Sequence, residues 1–183
     1  MDGLFRCVLY LAAIGILLFI VGRVLSKEKF QFSKFPFRSF AVEKEGSLYR
    51  KLGVQKWKDK VPDMSRVCPA WISSKKLPRS PSVHQMERMI QETCIAEWVH
   101  TLLCLLGFGC VWLWKGPGGW VVSILYALGN IPYIIIQRYN RPKLIKILRR
   151  VCVKAKTQKE SVCDRSSHDE ACFAAELQYR TRA

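Results

Sequence analysis

The chain has few acidic residues, and their scarcity restricts what it can bind. Its 183 residues carry 14 Asp and Glu against 30 Lys and Arg, which gives a formal net charge of +16. Such a balance predicts an anionic partner: nucleic acid, acidic lipid or a phosphorylated cofactor. The basic stretches adjoin long apolar segments instead of lying on a soluble fold, so we expect no nucleic-acid partner and favour lipid or a phosphorylated cofactor.

The sequence also lacks paired cysteines. Eight cysteines are present, but none forms a CxxC pair or has metal-ligand spacing. Free cysteine packs as a small hydrophobe, so we interpret these residues as packing residues on a reducing side of the membrane. A catalytic thiol at Cys94 is the sharper alternative, but His100 lies off the helical offsets at which side chains meet.

The N-terminal segment lacks the small-residue cleavage site of a signal peptide. A charge-free run, Cys7 to Gly22, lies between Arg6 and Arg23, and its apolar flanks bring it to the roughly 20 residues that cross a bilayer. Basic residues follow directly. We therefore interpret residues 1–25 as an uncleaved anchor whose downstream side is cytoplasmic.

Two further apolar segments predict two more transmembrane helices. They are Ile95–Trp114 and Trp120–Gln137, and the short turn at Lys115–Gly119 between them makes an antiparallel hairpin. Asn130 and Pro132 interrupt the second segment. A capping box at the start of the preceding helix is predicted from Ser82 and Gln85.

Asn140 followed by Pro142 is typical of the start of a new helix. Beyond it, apolar residues share one face and basic residues the other, which predicts an interfacial amphipathic helix. The apolar face holds Leu144, Ile145, Leu148, Val151 and Cys152, and the basic face holds Lys143, Lys146, Arg149 and Arg150.

These segments predict an all-α integral membrane protein, multi-pass in the cell membrane, with about three transmembrane helices plus interfacial amphipathic helices. Residues 1–25 are the anchor, 26–81 a cytoplasmic basic and aromatic interfacial region, 82–153 the hairpin domain, and 154–183 a polar, flexible tail. In the second region, a short helix is predicted with one face formed by Leu48, Tyr49, Leu52 and Trp57.

Ionisable residues at the start of the second apolar segment form the candidate site. Glu92, Glu97 and His100 share one helix face, and charged groups within a membrane segment indicate function because they are costly to retain. Glu97, one turn before His100, is placed to accept the imidazole Nδ1 proton and leave the other nitrogen as a base. The plain alternative is that both face the interface and are solvated.

Three stretches resemble a known family: EKEGSLYRKLGVQKWKDKVPD (43–63), QETCIAEWVH (91–100) and NIPYIIIQRYNRPKL (130–144). They are similar to the glycosyl-diaponeurosporenoate acyltransferases, small integral-membrane proteins of carotenoid synthesis. The likeness covers Glu43 to Arg150. It implies transfer of a fatty acyl group to a sugar hydroxyl of a membrane glycolipid, a carotenoid or other isoprenoid glycoside.

For that reaction we predict His100 as the general base, Glu97 as its orienting group, and Glu92 as a ligand of acceptor hydroxyls. The expected donor is acyl-CoA or acyl carrier protein, with no bound cofactor or metal ion. The predicted substrate-binding residues are Arg138 and Arg141 as phosphate clamps, Asn140 and Gln137 as oxyanion donors, and Trp57 and Lys58. The two arginines alternatively form a plain cytoplasmic basic cluster.

Two other classes of function stay open. ExxH on a helix is half of a di-iron site, so a metal-dependent membrane enzyme is one alternative. A non-enzymatic membrane adaptor with basic lipid-binding surfaces is the other. The expected partners are membrane lipids, the glycolipid acceptor and the acyl-thioester donor, and the sequence leaves the oligomeric state open.

Overall fold

The computed structural model describes residues 2–25, 30, 35–37, 43, 46–61 and 81–161, and helices dominate this part of the chain. In order, they are α1 (Asp2–Val24), α2 (Ser47–Lys51), α3 (Val54–Trp57) with a 3₁₀ turn at Lys58–Lys60, α4 (Val83–Gly107), α5 (Cys110–Leu113) and α6 (Pro117–Ser161). Three helical stretches are long and apolar enough to cross a bilayer. The predicted all-α membrane fold is confirmed.

Helix α4 begins at the predicted capping box. The backbone N–H of Gln85 donates to Ser82 Oγ at 3.2 Å, and the backbone N–H of Ser82 donates to Gln85 Oε1 at 3.0 Å. Each side chain thus satisfies an N–H at the helix start that has no partner within the helix. The start of α4 is therefore set by these two residues, as the sequence predicts.

Helices α4 and α6 form the predicted antiparallel hairpin. Near its tip, Ser123 Oγ donates to the carbonyl oxygen of Gly107 at 3.1 Å. At the other end, Arg141 Nε donates to Thr93 Oγ1 at 3.0 Å. Residue numbers fall along α4 as they rise along α6, so the early residues of α4 lie beside the late residues of α6.

Helix α6 is continuous through Pro132 and Pro142. The predicted interruption at Asn130 and Pro132, and the predicted new helix at Asn140, are therefore wrong. A proline inside a helix removes a hydrogen bond and costs about 3 kcal/mol. Packing against α4 continues on both sides of Pro142, and this burial offsets the cost.

The predicted amphipathic segment is the last part of α6. Leu148 and Cys152, on its apolar face, are buried with Met86 and Ile90 of α4. The face is apolar because it packs against another helix of the protein. The helix also reaches Ser161, beyond the boundary at 153 that the sequence predicts for the start of the tail.

Helix α1 packs antiparallel to α4. Gly3 in its first turn lies against Trp114, and Gly22 in its last turns lies against Ile95 and Val99. The start of α1 is therefore at the same end of the structure as the hairpin tip. Its last turns lie beside the ionisable residues of α4.

Helices α2 and α3 are two short helices where one was predicted. Gly53, with a φ of 66°, separates them in a left-handed conformation that favours glycine. Tyr49 and Val54 are buried against Tyr139 of α6, whereas Leu52 falls between the helices and is exposed. Only part of the predicted apolar face is therefore used for packing.

The described cysteines are free thiols, and all but Cys104 are buried: Cys7, Cys94, Cys104, Cys110 and Cys152. This agrees with their predicted role in packing. The remaining cysteines lie outside the described residues, as do most of the 26–45 stretch, residues 62–80 and residues 162–183.

Gly119 allows the hairpin turn to pack closely. A Cβ at this position would meet the carbonyl oxygens of Trp114 and Cys110, the latter at 2.7 Å. Gly119→Ala should therefore lower the free energy of unfolding by roughly 1–3 kcal/mol, as overpacking does. Thermal unfolding in detergent measures this loss. Gly129→Ala is the matched control, because nothing lies within 4 Å of its Cβ, and equal melting temperatures would contradict the prediction.

Candidate active site

Two glutamates and two arginines form a buried ion network between α4, α6 and the segment before α2. Glu97 accepts from Arg138 Nε at 2.6 Å and from Arg141 Nη2 at 2.5 Å. Arg138 Nη1 donates to Glu43 Oε1 at 2.5 Å. The four side chains are between 3% and 13% exposed, so positive and negative charges balance inside the protein.

Burial makes this balance necessary. An ion taken out of water loses several kcal/mol of hydration and recovers it only from close, hydrogen-bonded partners. Both carboxylate oxygens of Glu97 face an arginine. Every nitrogen of Arg141 has an acceptor, because it also donates to Thr93 Oγ1 at 3.0 Å, to the Thr93 carbonyl at 3.1 Å and to the Phe37 carbonyl at 2.7 Å.

The network also fastens the segment before α2 to the hairpin. Arg138 Nη2 donates to the Pro36 carbonyl at 2.8 Å, and the Tyr49 hydroxyl donates to Glu43 Oε1 at 2.5 Å. Burial, and then the hydrogen bond to Glu43, raise the pKa of the Tyr49 hydroxyl above its usual value. The hydroxyl therefore stays a neutral donor to the carboxylate.

The position of the ion network relative to the apolar layer is indicated by α1. Gly22, in the last turns of α1, lies against Ile95 and Val99, the residues two positions before and after Glu97. The network thus lies where α1 leaves the apolar layer. His100 lies about one helical turn further in, because three residues rise roughly 4.5 Å along a helix.

His100 contacts α6. Its Nδ1 lies 2.9 Å from Asn130 Oδ1, and its ring stacks on Tyr133 with centroids 4.6 Å apart and planes 10° apart. Asn130 Nδ2 donates to the Tyr126 carbonyl at 2.9 Å, which turns the amide oxygen towards the imidazole. Because that oxygen only accepts, Nδ1 carries a proton in this contact, and whenever the ring is neutral the lone pair is on Nε2.

The structure corrects the predicted partner of His100. The sequence places Glu97 at that nitrogen, whereas Asn130 occupies the position. Arginines from α6 bind the Glu97 carboxylate, and charge-assisted pairs are stronger than a hydrogen bond to a neutral ring. The antiparallel hairpin places Asn130 opposite His100, and this pairing could have identified it. The sequence analysis treats Asn130 only as an interruption of the third apolar segment.

The two arginines were predicted as phosphate clamps for the donor. The structure places both of them in the network, where Glu97 and Glu43 hold them. To bind a donor phosphate, they would have to leave these carboxylates. Their geometry therefore fits a role in holding the fold.

The other predicted site residues are spread over the structure. Gln137 is buried on the face of α6 that carries Asn130. The remaining four lie elsewhere: Glu92 half-buried on α4, Asn140 half-buried on α6, Trp57 packed beside Tyr139, and Lys58 paired with Asp59 at 3.2 Å. Gln137 is therefore the predicted oxyanion donor that shares a helix face with the partner of His100.

The fold and this site define a small helical membrane protein whose buried polar groups gather where the hairpin leaves the apolar layer. The family model of the glycosyl-4,4'-diaponeurosporenoate acyltransferases matches residues 31–150, and the chain belongs to this family. The predicted resemblance is thus confirmed, and the family is one of enzymes.

Individual relatives agree with this assignment. Proteins named glycosyl-4,4'-diaponeurosporenoate acyltransferase from Staphylococcus aureus strains MRSA252 and USA300 are each 32% identical to the chain over 150 residues. The aligned part covers 79% of this chain and 87% of each relative. The protein of that name from bovine strain RF122 / ET3-1 is 33% identical. No solved structure matches the chain.

The ion network gives a stability prediction. Glu97→Gln should lower the free energy of unfolding by roughly 3–5 kcal/mol, because a buried arginine loses its carboxylate. Adding Arg141→Gln should recover part of this loss, since Arg138 keeps Glu43 as a partner. Unfolding in detergent measures both effects, with Glu87→Gln on the same helix as the control. A wild-type melting temperature in Glu97→Gln would contradict the prediction.

Proposed function

We propose that this protein transfers a fatty acyl group from a thioester donor, acyl-CoA or acyl carrier protein, to a sugar hydroxyl of a membrane glycolipid. Family membership supports acyl transfer. The relatives are named for glycosyl-4,4'-diaponeurosporenoate, and this name supports an isoprenoid glycoside, such as a carotenoid glycoside, as the acceptor. Three helices are long and apolar enough to cross a bilayer, and a bilayer is where such an acceptor dissolves.

The observation that carries the mechanism is the contact between His100 and Asn130. With its proton held on Nδ1, the imidazole takes the proton of the acceptor hydroxyl on Nε2 as the hydroxyl oxygen attacks the thioester carbonyl. The tetrahedral intermediate then collapses and the C–S bond breaks. The imidazolium returns its proton to the leaving thiolate, so the products are an ester and a thiol.

Other residues have supporting roles in this proposal. Stacking on Tyr133 fixes the plane of the His100 ring. The Gln137 amide, on the same face of α6 as Asn130, is the proposed donor to the oxyanion, with Asn140 as the second candidate. Glu92, nearer the polar end of α4, is proposed to bind acceptor hydroxyls.

The geometry favours neither alternative class of function. A metal site on α4 would need carboxylates beside His100, but both oxygens of Glu97 accept from arginines. Across the described ranges, no group of three His, Cys, Asp or Glu is close enough to hold a metal ion. An adaptor would not need a histidine with one tautomer fixed in an apolar layer.

Substitution of His100 tests the base. His100→Gln should keep the fold, because glutamine is polar and of similar size, and should lower kcat by roughly 10²- to 10⁴-fold, the usual contribution of acid–base catalysis. KM should change little. Turnover is measured with an acyl-thioester donor and a glycolipid acceptor in detergent or vesicles.

A second variant separates the base from its support. Asn130→Leu should lower kcat less than His100→Gln, because the imidazole remains but its tautomer is no longer fixed. Glu87→Gln serves as a variant away from the site. Near-wild-type turnover in His100→Gln would refute the acid–base mechanism.

We also propose that both polar regions face the cytoplasm, with the start of α1 and the hairpin tip outside. The tip carries Lys115 as its one basic residue between α5 and α6, whereas basic residues are dense at the opposite end. In a variant lacking native cysteines, Lys115→Cys should react with an impermeant maleimide in intact cells. Lys154→Cys should react only after permeabilisation. The reverse pattern would overturn this topology.

A further inference from the structure

Tyr139 carries a hydroxyl that the fold buries without satisfying it. The residue is 2% exposed, and this oxygen is the one buried side-chain polar atom without a hydrogen-bond partner in the part of the chain that the structure describes. Proteins rarely leave such a group unpaired, because its lost hydration is not recovered. The hydroxyl therefore points to a ligand that supplies the missing acceptor.

The groups around the hydroxyl suit an anion. Lys143 Nζ lies 3.7 Å from the centroid of the Tyr139 ring. Lys143 and Gln55 approach the hydroxyl as donors at the limit of hydrogen-bonding distance, and the charge of Lys58 acts on it from the turn after α3, so the O–H still has no acceptor. Lys58 also contacts Asp59, which is exposed. Two ammonium groups, a phenol and an amide can donate together to a ligand with several acceptor oxygens, as phosphate has.

The ligand can reach this cluster from the surface. Lys143 and Gln55 are exposed, and both are long side chains that can turn aside. Tyr139 itself is held firmly, because it packs with Tyr49 and Val54. A rigid phenol below movable donors is an arrangement that can admit a phosphate and then close on it.

The cluster lies at the depth of the lipid headgroups. Tyr139 follows Arg138, whose partner Glu97 lies where α1 leaves the apolar layer. At about 100° per residue, Tyr139 and Asn130 are roughly 180° apart around α6. An anion at Tyr139 is therefore on the opposite side of α6 from the proposed base.

We propose that Tyr139, Lys143, Lys58 and Gln55 bind the phosphate of an anionic phospholipid headgroup. Lysine side chains extend to this depth and attract anionic lipid. The phosphate oxygens accept from the Tyr139 hydroxyl and neutralise the ammonium groups. Because the site joins α3 to α6, a bound lipid also fastens α2 and α3 to the membrane surface.

Thermal unfolding of the full-length protein in neutral detergent tests this site without reference to activity. Dihexanoyl phosphatidylglycerol at about ten times its Kd should raise the melting temperature by roughly 3–6 °C. Tyr139→Phe and Lys143→Gln should lose most of this rise, whereas Lys154→Gln, which removes a charge from the same helix, should keep it. Without lipid, Tyr139→Phe should be at least as stable as the wild type, because it removes an unpaired hydroxyl.

Two further probes identify the source of the phosphate. Inorganic phosphate at matched ionic strength should stabilise weakly and through the same residues, and coenzyme A should do no better. A stronger effect of coenzyme A, lost in Tyr139→Phe, would overturn the headgroup assignment in favour of the donor. Equal lipid stabilisation of the wild type, Tyr139→Phe and Lys143→Gln would overturn the site itself.

Discussion

The charge of Glu97 has to be neutralised before the hairpin can pack as it does. Its carboxylate lies on the α4 face that meets α6, and α6 supplies two guanidinium groups at that level. One of these groups, Arg138, also donates hydrogen bonds to Glu43 and to the Pro36 carbonyl. Each buried ion thus needs an oppositely charged partner. Glu43, the partner of Arg138, brings the segment before α2 against the hairpin.

The ion network, which holds the fold, and the proposed catalytic groups lie at different levels of the hairpin. The ions are concentrated where α1 ends, and their charges cancel in pairs. About one turn deeper, the polar groups are His100, Asn130 and the Tyr133 ring. A neutral imidazole is the form that a general base needs, and it costs less to place in an apolar layer than an ion does.

Much of the fold could be predicted because its signals are local. The capping box at Ser82, the three apolar segments and the short turn at Lys115–Gly119 each depend on residues close together in the sequence. The errors involve partners distant in the sequence. Pro142 ends a helix by local rules, but α4 supplies a packing surface on both sides of it.

The site could be predicted in part for the same reason. The sequence analysis identifies His100 and Glu97 because ionisable side chains are costly to place in an apolar segment. In the structure, both make polar contacts with α6. Their spacing made them partners, yet arginines from α6 bind Glu97 more strongly than an imidazole on its own helix. No local sequence pattern identifies Asn130 or Tyr139. Asn130 is important because it lies opposite His100 in the hairpin, and Tyr139 because its buried hydroxyl has no acceptor.

The continuity of α6 has a mechanical consequence. From Arg141, which the ion network holds, the helix extends about 36 Å to Pro117 and about 30 Å to Ser161. A continuous helix that tilts as one body about a point near its middle moves its two halves in opposite directions and by similar distances. A displacement of one end of α6 is thus transmitted to the other end without any contact between them.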